Sequence, residues 1–134
     1  MRGALVLGGA TVTAHPDEPD QPHEEVFPVH TDPRGTLVAV EGDDVGFPIQ
    51  RVFVVRGTEP SLPRGGHAPQ CRELLVLVSG RVTGSVRNAA GEVAFELTDA
   101  GQSVRVDPTD FVDYTLDAAS VLLVVCDQPY EATP

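Results

Sequence analysis

His67 and Glu73 are the two side chains of this sequence whose types and spacing invite acid–base chemistry. They stand six positions apart in Pro63-Arg64-Gly65-Gly66-His67-Ala68-Pro69-Gln70-Cys71-Arg72-Glu73, directly ahead of the apolar run Leu74 to Val78. Histidine changes charge near neutral pH, so it can both take and return a proton. Pro63 and Gly65-Gly66 place His67 just before a strong strand, which makes it the candidate general acid or base; the plainer alternative is a histidine satisfied by a backbone carbonyl. Glu73 can orient His67, serve as a second acid or base, or simply pair with an arginine such as Arg72.

A transition metal needs at least three convergent ligands. His15, His23 and His30 fall in or near a Pro- and acid-rich segment and read as solvated, and Asp107-Pro108-Thr109-Asp110-Phe111-Val112-Asp113 contains no histidine. No metal and no other cofactor is therefore expected. Cys71 and Cys126 lie 55 residues apart and match no CxxC spacing; they read as buried, reduced thiols. A second constellation is Arg34, Arg51 and Arg64: the first in the turn Asp32-Pro33-Arg34-Gly35, the second opening a strand, the third just ahead of the histidine. Arginine grips phosphate or carboxylate through two parallel hydrogen bonds, so three convergent arginines would mark an anion site, whereas each alone reads as a surface salt bridge.

The elements that must position these groups are strands. Val82, Val86, Val93, Phe95, Leu97, Val104 and Val106 recur at period two among polar neighbours, the pattern of a strand with one buried face. Asn88-Ala89-Ala90-Gly91 supplies a turn between two of them. Val52 to Val55, Leu74 to Val78 and Val121 to Val125 are unbroken apolar runs, expected to be covered on both faces. Roughly nine strand candidates and no helical period of ten residues predict an all-β sandwich or barrel, with a jelly roll fitting the spacing.

Composition sets the limits. The 134 residues suffice for one domain with its own core, and 41% hydrophobic with 22% charged residues describes a globular chain. Residues 1–25 divide into a short apolar stretch, an outer strand over 3–13, and an acidic Pro-rich loop from Ala14 to Glu25; the domain proper is expected over 26–134. Net charge is −11, and all nine basic residues are arginine. Such a surface repels phosphate backbones and anionic lipid, so nucleic acid and membranes are poor partners and a small molecule is the expected ligand. Ala4-Leu5-Val6-Leu7 is too short to span a bilayer or serve as a secretory signal, which predicts a cytoplasmic protein.

The frame from His67 through Glu73 to Gly80 resembles the first motif of the cupins, with Pro69 where their second histidine stands. Asp32-Pro33-Arg34-Gly35-Thr36-Leu37-Val38-Ala39-Val40-Glu41, Phe47-Pro48-Ile49-Gln50-Arg51-Val52-Phe53, Pro63-Arg64-Gly65-Gly66-His67-Ala68 and Val121 to Val125 with Tyr130-Glu131 resemble the WxcM-like cupins, the thymidine-diphosphate-sugar 3,4-ketoisomerases, over residues 26 to 131. That resemblance implies an RmlC-like double-stranded β-helix, a metal-free homodimer that exchanges N-terminal strands, and movement of a carbonyl between C3 and C4 of a 4-keto-6-deoxyhexose nucleotide through an enediol. It matches His67 to the first active-site histidine and puts Arg34 and Arg64 near the nucleotide sugar.

The departures are as informative. Pro69 replaces the histidine that shuttles protons, Gln70 a lysine, Val54 a tyrosine, and Phe111-Val112 a Trp-His pair, which predicts a more apolar pocket. The implied activity is a metal-independent isomerase or cyclase in specialised or deoxysugar metabolism, with His67 as acid or base and Glu73 assisting. Arg34, Arg51, Arg64, Gln70, Phe111, Asp113 and Tyr114 are the residues expected around the substrate. The alternatives are a true nucleotide-sugar ketoisomerase, in which Glu73, Asp113 or Tyr114 takes over the missing histidine's role, and a catalytically silent binding protein.

Overall fold

Apolar side chains at period two build strands over nearly the whole domain. The computed structural model describes residues 24–130, so the strand expected over 3–13 and most of the acidic segment lie outside the described residues. Within them are eleven strands, where the sequence suggested nine: β1 (Glu24–Val26), β2 (Val29–Asp32), β3 (Gly35–Val38), β4 (Arg51–Arg56), β5 (Pro63–His67), β6 (Glu73–Ser79), β7 (Val82–Asn88), β8 (Gly91–Leu97), β9 (Gln102–Val106), β10 (Phe111–Leu116) and β11 (Val121–Cys126). One turn of helix, α1 (Gly42–Val45), follows β3.

Two antiparallel sheets face each other, in the orders β1-β9-β6-β11-β4 and β5-β10-β7-β8, and β2 with β3 forms a separate hairpin. This is the expected all-β jelly roll. Asn88 to Gly91 turns β7 into β8 as expected, with Asn88 Oδ1 accepting the Ala90 amide at 2.9 Å and Gly91 at φ +137°.

The first strand opens inside the stretch expected to be loop. Glu25 accepts Arg105 Nε at 3.0 Å and Ser103 Oγ donates to its carbonyl at 2.8 Å, so an acidic residue that signalled solvent instead fastens β1 to β9.

The five-stranded sheet is covered on both faces at β6. Leu75 and Leu77 point between the sheets into a cluster with Val86, Phe95 and Leu122, while Leu74 and Val76 point the other way against Phe27, Val45 and Phe47. Each such side chain gains about 1.5–3 kcal/mol from leaving water. Val52 to Val55 departs from the expectation of double coverage: Val52 is 52% and Val54 62% exposed. β4 is the edge of its sheet, and the outer cluster contains no β4 residue.

Candidate active site

Gly65 and Gly66 both hold left-handed backbone, at φ +80° and +72°, and the pairing of β5 with β10 slips beside them: Asp113 faces Gly65, while Val112 faces His67. Two residues on β5 thus oppose one step of β10, which is a β-bulge. A Cβ on Gly65 would stand 2.7 Å from the Val112 carbonyl oxygen, so only glycine fits there. His67 was expected just before a strand; it ends one, with its backbone in register with Val112.

Beyond His67 the chain turns through residues 68–72 into β6. This turn, Arg51 at the head of β4, Pro108, and the segment after β11 enclose a cavity of about 640 Å³. Of the residues expected around a substrate, Arg51 and Gln70 line it, together with Glu73, the expected catalytic partner of His67. Pro69 is buried in its wall. The lining is not the mainly apolar surface expected, because Arg51, Arg72, Glu73 and Asp127 all contribute to it.

Two rings hold Arg51, with its guanidinium 4.6 Å from the Phe53 centroid and 4.8 Å from that of Tyr130. Among the described residues Arg51 forms no ion pair. Arg72 does the opposite. Its amide donates to Asp127 Oδ1 at 2.9 Å and its Nε to Oδ2 at 3.0 Å, pinning the turn to the end of β11.

Glu73 lies directly opposite Cys126 in the β6–β11 register, and the Cys126 thiol donates to Glu73 Oε2 at 3.8 Å. Cys71 joins them: one ligand atom from each of Cys71, Glu73 and Cys126 lies within 4.8 Å of the others. Burial, then the Glu73 charge, pushes the Cys126 thiol up to about 12, and the same two causes raise Cys71. Both cysteines are free, as expected, but only Cys126 is buried; Cys71 is half-buried.

Tyr114 lies in the core beneath this cluster, on the inward side of β10. Its entry is made possible by Gly84, which faces Tyr114 on one side and Phe95 on the other. Burial raises the Tyr114 phenol, and a hydrogen bond from Arg64 partly offsets this.

The structure does not bring the remaining expected residues to the cavity. Arg34 projects from the β2–β3 hairpin with its side chain 90% exposed and binds Asp32 at 2.6 Å, holding that carboxyl below its usual range. Phe111 and Asp113 alternate with the buried Val112 and Tyr114, so they lie on the outer side of β10; Phe111 carries Arg87 4.5 Å from its centroid and Asp113 accepts from Ser85 at 3.4 Å. Sequence reasoning missed Cys71 with Cys126, Arg72 with Asp127, and Tyr130. The one signal for them was that Cys126 ends an apolar strand, and its partner depends on strand order.

Two facing antiparallel sheets, with a cavity beside the turn that follows the glycine bulge, give the chain a jelly-roll fold of the cupin type. The match of residues 22–134 to the family described as WxcM-like, C-terminal makes the chain a member of that family. Its fold is similar to that of QdtA, a sugar 3,4-ketoisomerase from Thermoanaerobacterium thermosaccharolyticum solved with TDP, at TM-score 0.73 and 23% identity over 84% of each chain. It is also similar to WlaRB, a TDP-quinovose 3,4-ketoisomerase from Campylobacter jejuni, at TM-score 0.73 and 23% identity over 85% of this chain and 90% of that one. RmlC from Streptococcus suis, solved with dTDP-D-xylose, follows at TM-score 0.66 and 21% identity over 92% and 73%. A comparison with curated proteins returns no match. No helix among the described residues is long and apolar enough to cross a membrane.

Proposed function

We propose that this protein is an acid–base isomerase or cyclase acting on a small carbonyl compound, without a metal, in specialised or deoxysugar metabolism. The observation that carries the reading is the placement of Glu73 in a cavity whose wall begins one residue beyond His67, in a WxcM-like chain whose fold is similar to that of sugar 3,4-ketoisomerases. His67 takes a proton from the carbon beside the carbonyl, the carbonyl oxygen gains one to give an enediol, and return of a proton to the neighbouring carbon completes the shift. Glu73 carries the oxygen-to-oxygen transfer that Pro69 cannot. Gln70 donates to a substrate oxygen, and Arg64 acts from behind through Tyr114.

Arg51 favours a particular substrate class. A cation that forms no ion pair among the described residues, held between two rings at the cavity edge, suits a diphosphate, which supports a nucleotide sugar as the ligand. Such an enzyme works as a homodimer here, a reading supported by the exposed Val52 and Val54 on edge strand β4.

The test is incubation with TDP-4-keto-6-deoxyglucose in deuterated water, with products followed by NMR. Deuterium uptake at the carbon beside the carbonyl is expected, and His67→Gln should slow it by about 100–10,000-fold while the circular dichroism spectrum stays unchanged. Tight calorimetric binding without any exchange would instead support a silent binding protein, and exchange unaffected by His67→Gln would remove His67 from the mechanism.

A further inference from the structure

We infer that Cys71, Glu73 and Cys126 form a site for one thiophilic divalent cation, of the zinc class, at the inner end of the cavity. This goes beyond the proposed function and does not rest on it. Glu73 and Cys126 are cross-strand partners on β6 and β11, so the sheet itself fixes two of the three donors. The third, Cys71, is held by its neighbour: the Arg72 amide and guanidinium bind Asp127, and the Asp127 amide returns a bond of 3.2 Å to the Arg72 carbonyl.

The spacing suits a tetrahedral ion. With zinc–sulfur bonds of about 2.3 Å and zinc–oxygen of about 2.0 Å, sulfur ligands stand about 3.8 Å apart and sulfur and oxygen about 3.5 Å apart. The observed Cys126 Sγ to Glu73 Oε2 separation is 3.8 Å, and all three donors fall within 4.8 Å of one another, so side-chain rotation of about 1 Å closes the set.

Two sulfurs with one carboxylate select zinc over magnesium or calcium, which take oxygen shells. Three protein ligands leave a fourth position for water or a ligand, and Cys71 and Glu73 both border the cavity. A disulfide is the competing fate of the pair, and it requires the sulfurs to close to about 2.05 Å. A bound cation also commits the Glu73 carboxylate, so loading should suppress the proton transfer proposed above.

The experiment uses full-length protein, reduced and stripped with a chelator, then titrated with zinc chloride by calorimetry and with cobalt chloride by absorbance. Expected are one ion per chain and a near-ultraviolet sulfur-to-cobalt band. Cys71→Ser should at least halve the band and weaken zinc binding at least about 100-fold, more than the 10–100-fold typical of outer-shell partners. Cys126→Ser and Glu73→Gln should each weaken binding, with circular dichroism reporting whether the buried Cys126 site still folds. Absence of binding, a cobalt spectrum lacking the sulfur band, affinity unchanged in Cys71→Ser, or loss of two hydrogens by mass as the thiols pair would each overturn the inference. Deuterium exchange is read separately, on the chelator-stripped protein, so failure here leaves that result standing.

Discussion

Gly84→Ala sets two effects of opposite sign against each other at the point where Tyr114 enters the barrel. Restricting the unfolded chain by adding a methyl group gains about 0.4–1 kcal/mol where the native backbone tolerates it. Here the native surroundings do not. The new Cβ would lie 2.3 Å from the Asp113 carbonyl oxygen, 2.8 Å from Phe95 Cζ and 2.8 Å from Tyr114 Cβ. Phe95 can rotate away, but the Asp113 oxygen belongs to the ladder of β10 and moves only if the strand does. Overpacking of this kind costs about 1–3 kcal/mol, and the backbone contact puts Gly84 at the upper end. A net loss of about 2 kcal/mol or more remains, lowering Tm by about 6 °C or more. Gly42→Ala is the matched control, because nothing lies within 4 Å of its added Cβ and its φ is not positive. Urea unfolding followed by far-ultraviolet circular dichroism suits a chain without tryptophan. Equal midpoints for Gly84→Ala and Gly42→Ala would refute the argument that β7 and β10 are locked by backbone contact.

Two further outcomes follow from the ionisable groups. The Tyr114 phenol should titrate above its ordinary value of 10.0, read as the difference between alkaline absorbance titrations of the native chain and Tyr114→Phe. The raised folded value means the unfolded chain releases this proton first, so the associated stability is complete below about pH 10 and is lost as pH rises through the folded value; a midpoint at or below 10 contradicts the buried placement. In Cys71→Ser, the Cys126 thiol, still raised by burial and by the Glu73 charge, should be alkylated by iodoacetamide near pH 8 more than about tenfold more slowly than glutathione. A rate within tenfold of glutathione would show that the thiol is neither buried nor held beside a carboxylate.

What the sequence revealed is what local pattern encodes. Alternation over Val82 to Val106 and the turn at Asn88 are properties of neighbouring residues, and both reappear in β7, β8 and β9. Glu25 was misread because composition alone cannot distinguish a solvated carboxylate from one facing Arg105, a partner 80 residues away. Val52 and Val54 were misread for a related reason: an apolar run shows that a strand is wanted, and sheet order decides whether it becomes an edge. At the site, Glu73 and Arg51 were legible from their places at strand starts. Phe111 and Asp113 required the strand phase, since Val112 and Tyr114 turning inward leave them outward, and Arg34 required knowing that the β2–β3 hairpin forms a sheet of its own. Cys71 and Cys126 required the β6–β11 register, which no short motif records.

The double coverage of β6 has a consequence for the order in which the molecule breathes. Its amides are flanked by β9 and β11 and shielded on both faces, so they should be among the last to exchange with deuterium, whereas edge strands β4 and β5 should exchange through smaller openings. The cavity straddles that divide. Arg51 stands on edge strand β4, while Glu73 begins β6 and is bonded there to Cys126 at the end of β11. A transient opening would therefore release the arginine wall on β4 and leave the carboxylate and thiol still paired on the persistent strands, giving a route for ligand entry that keeps half of the site assembled.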